Sequence, residues 1–175
     1  ADFRATGQTG ILIAGEGVPV DAVVADFISG AIEQLAPARH DEGWDVIEGQ
    51  GSLFHPSFAG VSTGLLHGAQ PEAIVLCHRP GRSHMRGIPG RPLPDLAECL
   101  ESNLQVARLT SPSARAVGIC LNTSGLGADE ARRLCDRIAD RLGLPTTDPI
   151  AFGVEPLIDE LLCLAPSASS TTASL

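Results

Sequence analysis

Lysine is absent from this chain of 175 residues: all 12 basic side chains are arginine, set against 21 acidic ones. A Walker A loop needs a lysine to reach the phosphates, so none lies within it. A formal net charge of −9 leaves no basic face for a nucleic acid, although an acidic protein can still hold a small anion in a local arginine pocket. No apolar run approaches the roughly 18 to 20 residues needed to span a bilayer, and no stretch reads as a signal peptide. The five cysteines (77, 99, 120, 135, 163) contain no CxxC pair, and the five histidines show no HExxH or other ligand spacing, which argues against zinc. Scattered cysteines in odd number, two of them inside apolar runs, predict reduced, buried thiols and a cytoplasmic protein.

What is present fits one compact α/β domain: 43% apolar residues and 19 glycines. ADFRATGQTG reads as a strand end running into a glycine loop, an unusual opening that predicts a missing N-terminal portion. Asp21 to Leu35 places Val23, Val24, Phe27, Ile28, Ala31, Ile32 and Leu35 on one helical stripe, with Asp21 as its N-cap. WDVIE (44–48) reads as a short strand, Val61 to His67 as a short helix, and AIVLC (73–77) as a strand covered on both faces. A loop rich in glycine and proline, Arg79 to Pro94, leads to a helix at Asp95 to Leu109. A strand at Ala116 to Leu121 follows, then helices at Ala128 to Leu142 and near Pro156 to Leu164. From Pro166 the tail is small and polar, which predicts disorder. Strand and helix alternate, the pattern of βαβ units on a parallel sheet flanked by helices. Ligands of such sheets bind beyond the carboxyl ends of strands, so the loops after Thr6, Glu48, Cys77 and Leu121 are the places to search.

Glu48 ends a strand and is followed by Gly49-Gln50-Gly51, where backbone amides can approach a ligand. A metal-binding acid or a general base sits in such a place. Thr6-Gly7-Gln8-Thr9-Gly10 is a second glycine turn at a strand end, suited to line a phosphate or carboxylate site. His55-Pro56-Ser57 continues the Glu48 loop, and His55 is a candidate base or a surface residue. Arg79, Arg82 and Arg86, with His78 and His84, crowd one loop and suit bidentate capture of carboxylate or phosphate. Gly60-Val61-Ser62-Thr63-Gly64 matches GxSxG, but no strand precedes the serine and no histidine follows His84, which rules against a serine hydrolase. Gly15-Glu16-Gly17 and Gly125-Leu126-Gly127 lack the third glycine of a dinucleotide fingerprint.

ATGQTG, VDAVVADFISGAIE, VIEGQGSLFHPSFAGVSTGLLHG, CHRPGR and MRGIPGRPLPDL together resemble a bacterial and archaeal family of domains of unknown function, one branch of which is D-glutamate N-acetyltransferase. The resemblance covers about residues 1 to 160. It implies a P-loop domain similar to dethiobiotin synthetase, preceded by a Rossmann-like domain, with Glu48 in the place of a magnesium-holding carboxylate. The family's phosphate loop would lie upstream of Ala1, so this piece alone is expected to be inactive. In the acetyltransferase branch acetyl-CoA is the co-substrate. Two other readings remain: an ATP- and magnesium-dependent ligase or kinase with Glu48 on the metal, and a non-catalytic nucleotide-binding module. Each takes a small-molecule ligand and neither nucleic acid nor membrane, with a homo-oligomer expected for the full-length protein.

Overall fold

The computed structural model describes residues 1–41 and 43–164. The polar tail from Pro166, expected to be disordered, lies outside the described residues. The chain divides into two compact units, one of Ala1–Glu72 with Ser83–Ala114, the other of Ala73–Arg82 with the chain from Arg115 onward. All strand pairing inside the named sheets is parallel, and helices follow the strands, as the alternating pattern predicts. No described helix is long and apolar enough to cross a membrane.

The first unit carries β1 (Asp2–Arg4), α1 (Gln8–Ala14), α2 (Ile28–Leu35), β2 (Asp45–Ile47), α3 (Ala59–Ala69) and α4 (Leu96–Arg108). β1 and β2 pair in register Asp2 to Asp45, Phe3 to Val46 and Arg4 to Ile47. Its core is Val20, Ile32 and Leu65, with Val18, Leu35, Ile47, Val61 and Ala69 packed around them. Burying each such side chain contributes about 1.5–3 kcal/mol. α2 and α3 approach closely because α3 carries glycines: a Cβ on Gly68 would stand 2.4 Å from the Ser29 carbonyl oxygen. α4 opens on Asp95, whose carboxylate accepts from the Ala97 amide as an N-cap should.

Two expectations fail here. The long helix from Asp21 is instead two 3₁₀ turns, Val20–Ala22 and Ala25–Phe27, before α2 starts at Ile28. Val23 and Val24 lie between the turns in extended backbone, and Asp21 caps nothing. Val24 and Phe27 are 67% and 68% exposed, so only the C-terminal part of the apolar stripe has a core to face. The glycine turn after β1 is also not only a loop. It opens α1, which ends at Gly15 in left-handed backbone.

The second unit holds β3 (Ala73–His78), β4 (Arg115–Leu121), α5 (Ala128–Leu142), β5 (Thr146–Thr147) and α6 (Glu155–Leu162), with strand order β3-β4-β5. The most deeply covered strand is the central β4, where Val117, Ile119 and Leu121 are buried. β3, expected to be covered on both faces, is half-buried and leaves Cys77 exposed. Only Cys135 of the five free thiols is buried, because it lies with Ala131 and Ile138 on the inner stripe of α5. α6 sits against β4 at Gly118, where a Cβ would meet Leu157 at 2.1 Å.

β1 and β2 set Asp2 directly beside Asp45, a like-charge pair that opposes strand pairing. Arg39 offsets it by donating to Asp2 at 2.5 Å and Asp45 at 3.0 Å while gripping Asp41 through two nitrogens, and Arg4 donates to Asp45 at 2.8 Å. Arg39→Ala is therefore expected to lower the urea midpoint, with a loss that shrinks as salt is raised. A salt-independent loss would assign Arg39 a packing role instead.

Candidate functional site

The strand ends of the first unit bring the two glycine motifs together. β1 delivers Thr6 and Gly7, β2 delivers Glu48, and the parallel register places them side by side. Glu48 Oε2 accepts from the Thr6 amide at 2.9 Å and the Gly7 amide at 2.8 Å. The Thr6 hydroxyl donates to the Glu48 carbonyl at 2.6 Å and accepts from Gln50 Nε2 at 2.9 Å. Thr6 is fully buried, so its own bonds are partly shielded from water, which strengthens them. Gly10 makes room for the carboxylate: a Cβ there would fall 2.1 Å from Glu48 Oε2.

This arrangement changes the meaning of the glycine turn. Its first two amides, expected to meet a ligand anion, hold the protein's own carboxylate. Gln8 and Thr9 lie exposed on α1, and Gly49 is exposed beside Glu48. Gly51 lies against Phe58, where a Cβ would come within 2.5 Å. Glu48 Oε1 receives no hydrogen bond from the described residues, and the side chain is half-buried. One oxygen is fixed and the other is open.

His55 is engaged at both ring nitrogens. The Ser57 amide donates to Nδ1 at 3.1 Å, which leaves the proton on Nε2, and Nε2 donates to the Arg86 carbonyl at 3.0 Å. The ring also lies against Phe58, centroids 4.5 Å apart. Both ring nitrogens are thus engaged, and these contacts hold the His55 loop in place. The division between units falls inside the arginine loop: Arg86 goes with the first unit and Arg79 and Arg82 with the second. All three are exposed. His84 is exposed as well, with Nδ1 3.2 Å from the Ser83 hydroxyl.

The second unit has a cleft of about 720 Å³ at the carboxyl ends of its strands, lined by Cys77, His78, Arg79, Cys120, Asn122 and Phe152 among others. Burial, reinforced by the charge of Arg82, pushes the His78 imidazole toward its neutral form. Asp148, which follows β5, is the fixed point of this cleft. Burial raises its pKa, but donors overcome that: Oδ2 accepts from the Thr123 amide and hydroxyl at 2.7 and 2.6 Å, Oδ1 from the Ile150 and Ala151 amides at 3.0 and 3.1 Å. The net result holds it at about 2. Sequence reading named the loop after Leu121 as a place to search but singled out no residue in it. Asp148 carried no signal, because β5 is two residues long.

Two outcomes follow from these two carboxylates. Gly10→Ala should cost about 1–3 kcal/mol by expelling Glu48 from its seat, read as a lower urea midpoint. Asp148 is more acidic folded than its ordinary 3.8, so its contribution is complete above about pH 4 and fades as pH falls through 2. Asp148→Asn should flatten the loss of stability between pH 5 and 2, measured by urea unfolding at each pH. An unchanged acid slope would remove Asp148 as its source.

The family model described as "Domain of unknown function (DUF1611_C) P-loop domain" matches residues 1–158. The chain is 50% identical over 160 residues to a D-glutamate N-acetyltransferase of a Pseudoalteromonas species, and 51% identical over 159 residues to one of Tritonibacter scottomollicae. Each alignment covers 91% of this chain and 48% of the relative, so the chain spans about half the length of the curated relatives it matches. A crystal structure of a DUF1611 family protein from Anabaena variabilis superposes with a TM-score of 0.83 at 38% identity, over 93% of this chain and 48% of that one. With the fold and the Glu48 segment accounted for, this chain belongs to the DUF1611 family, in its P-loop domain.

Proposed function

We propose that this chain supplies the P-loop domain of an N-acetyltransferase that moves acetyl from acetyl-CoA to the amine of D-glutamate. The observation that carries the reading is half identity, across nine-tenths of the chain, to two proteins of that name. The transfer joins the amine nitrogen to the thioester carbon and breaks the carbon–sulfur bond, releasing CoA as the thiol. The substrate ammonium must first lose a proton, because only the neutral amine has a lone pair to attack with.

Glu48 is the base in this reading. Its Oε2 is held by two amides, which orient the carboxylate, and Oε1, without a hydrogen bond from the described residues, is left to accept the proton. Arg86, in the unit that holds Glu48, is the candidate cation for a substrate carboxylate or CoA phosphate; Arg79 and Arg82 belong to the other unit and are candidate anion clamps there. Ser57, Gln50 and the glycine backbone line the same Glu48 segment. The rival reading, an ATP-dependent ligase or kinase, asks Glu48 to hold magnesium. The residues present fit that ion weakly: one carboxylate oxygen is open, and no group of three metal-binding side chains exists among the described residues.

The test is thiol release from acetyl-CoA, with D-glutamate and L-glutamate compared, by a protein of the relatives' length carrying this domain. Release that requires the D isomer is expected. Glu48→Gln keeps an oxygen for the two amides and loses the base, so kcat should fall by about 100-fold or more with the fold intact. Unchanged turnover would end the assignment of Glu48. Absence of release with either isomer, with ADP formed from ATP and magnesium, would put the ligase or kinase reading in its place.

A further inference from the structure

The Cys77 and Cys120 thiols form a feature that the acetyl-transfer reading does not use. β3 and β4 pair in parallel with Cys77 opposite Cys120, so both side chains leave the sheet on the same face. Neighbouring strands run about 4.8 Å apart, inside the roughly 4.4–6.8 Å between Cα atoms that a disulfide requires. Both residues line the cleft of the second unit, Cys77 exposed and Cys120 half-buried. The register places the two thiols side by side at the mouth of the cleft.

We propose that Cys77 and Cys120 are a thiol–disulfide exchange site, in which Cys77 attacks a low-molecular-weight disulfide and Cys120 resolves the product. In the first step the Cys77 sulfur bonds to one sulfur of the small disulfide, and the other leaves as a thiolate that takes up a proton. In the second, Cys120 loses its proton and attacks the Cys77 sulfur, releasing the second small thiol. One disulfide is reduced to two thiols and two cysteines are oxidised to one bridge, so atoms and electrons balance without a further oxidant.

The asymmetry of the pair assigns the roles. The neighbouring Cys120 thiol draws Cys77 down, against a desolvation that acts the other way. Cys77 in turn, with burial and the charge of Asp148, pushes Cys120 up. Cys120 therefore keeps its proton until Cys77 has been consumed. A lowered thiol pKa raises the thiolate fraction at neutral pH, and the exposure of Cys77 in the cleft lets a small disulfide reach it. Cys163, the other exposed cysteine, has no thiol partner and provides the internal comparison.

The experiment incubates the reduced protein with oxidised glutathione at neutral pH, quenches with acid, and maps the cysteines by mass spectrometry. Expected are a glutathione adduct at Cys77 ahead of Cys163, then a Cys77–Cys120 bridge lacking two hydrogen atoms. Cys120→Ser should stop at a lasting Cys77 adduct. Should that variant lose its far-UV circular dichroism, the order of adduct and bridge in the unsubstituted protein decides alone. Modification of Cys163 as fast as Cys77, or an adduct at Cys77 that persists in the unsubstituted protein without bridging, overturns the proposal. Neither outcome depends on acetyl transfer.

Discussion

Two hydrogen bonds to one carboxylate oxygen organise the first unit. Glu48 Oε2 takes the Thr6 and Gly7 amides, which are the backbone groups that β1 leaves unpaired as it turns into α1. The bonds tie the carboxyl end of β2 to that of β1 beyond the last residue pair of the ladder, Arg4 with Ile47. Everything nearby is adapted to them. Gly10 leaves space for the carboxylate, Thr6 returns a bond to the Glu48 carbonyl, and Gln50 closes the ring on the Thr6 hydroxyl. A strand pair of three residues each is short, and such pairs are weak by themselves. The Glu48 ring at one end and the Arg39 cluster at the other make up for that shortness.

The sequence was legible where one residue class has one physical use. AIVLC and AVGICL admit no reading but strands, and Ala128 to Leu142 carries an apolar stripe between an acidic start and an arginine end. Parallel pairing followed from the alternation of elements. The segment from Asp21 misled because Val23, Val24 and Phe27 match helical spacing, yet spacing does not reveal whether a core stands opposite them. β5 was invisible: two threonines form no pattern.

The site was legible as positions more than as roles. Glu48 and the Thr6–Gly10 turn were both found as strand-end glycine motifs, while their mutual engagement was not. A glycine turn with free amides and one with its amides already filled are the same string of letters. His55 shows the same limit, since its tautomer is set by the Ser57 amide and the Arg86 carbonyl, and Arg86 lies 31 residues away. The long-range partner decides the chemistry.

Glu48 and Asp148 make the distinction between a structural and a reactive carboxylate concrete. Both follow a parallel strand, and both are held by backbone amides. Asp148 spends both oxygens on four donors and is buried, so it can neither move nor meet a ligand without unfolding the turn around it. Glu48 spends one oxygen on two donors and keeps the other open in a half-buried position. A general base must be oriented and still have a lone pair to offer. Of these two strand-end acids only Glu48 meets both conditions, which is the reason for proposing it as the base, while Asp148 shapes the second unit's cleft.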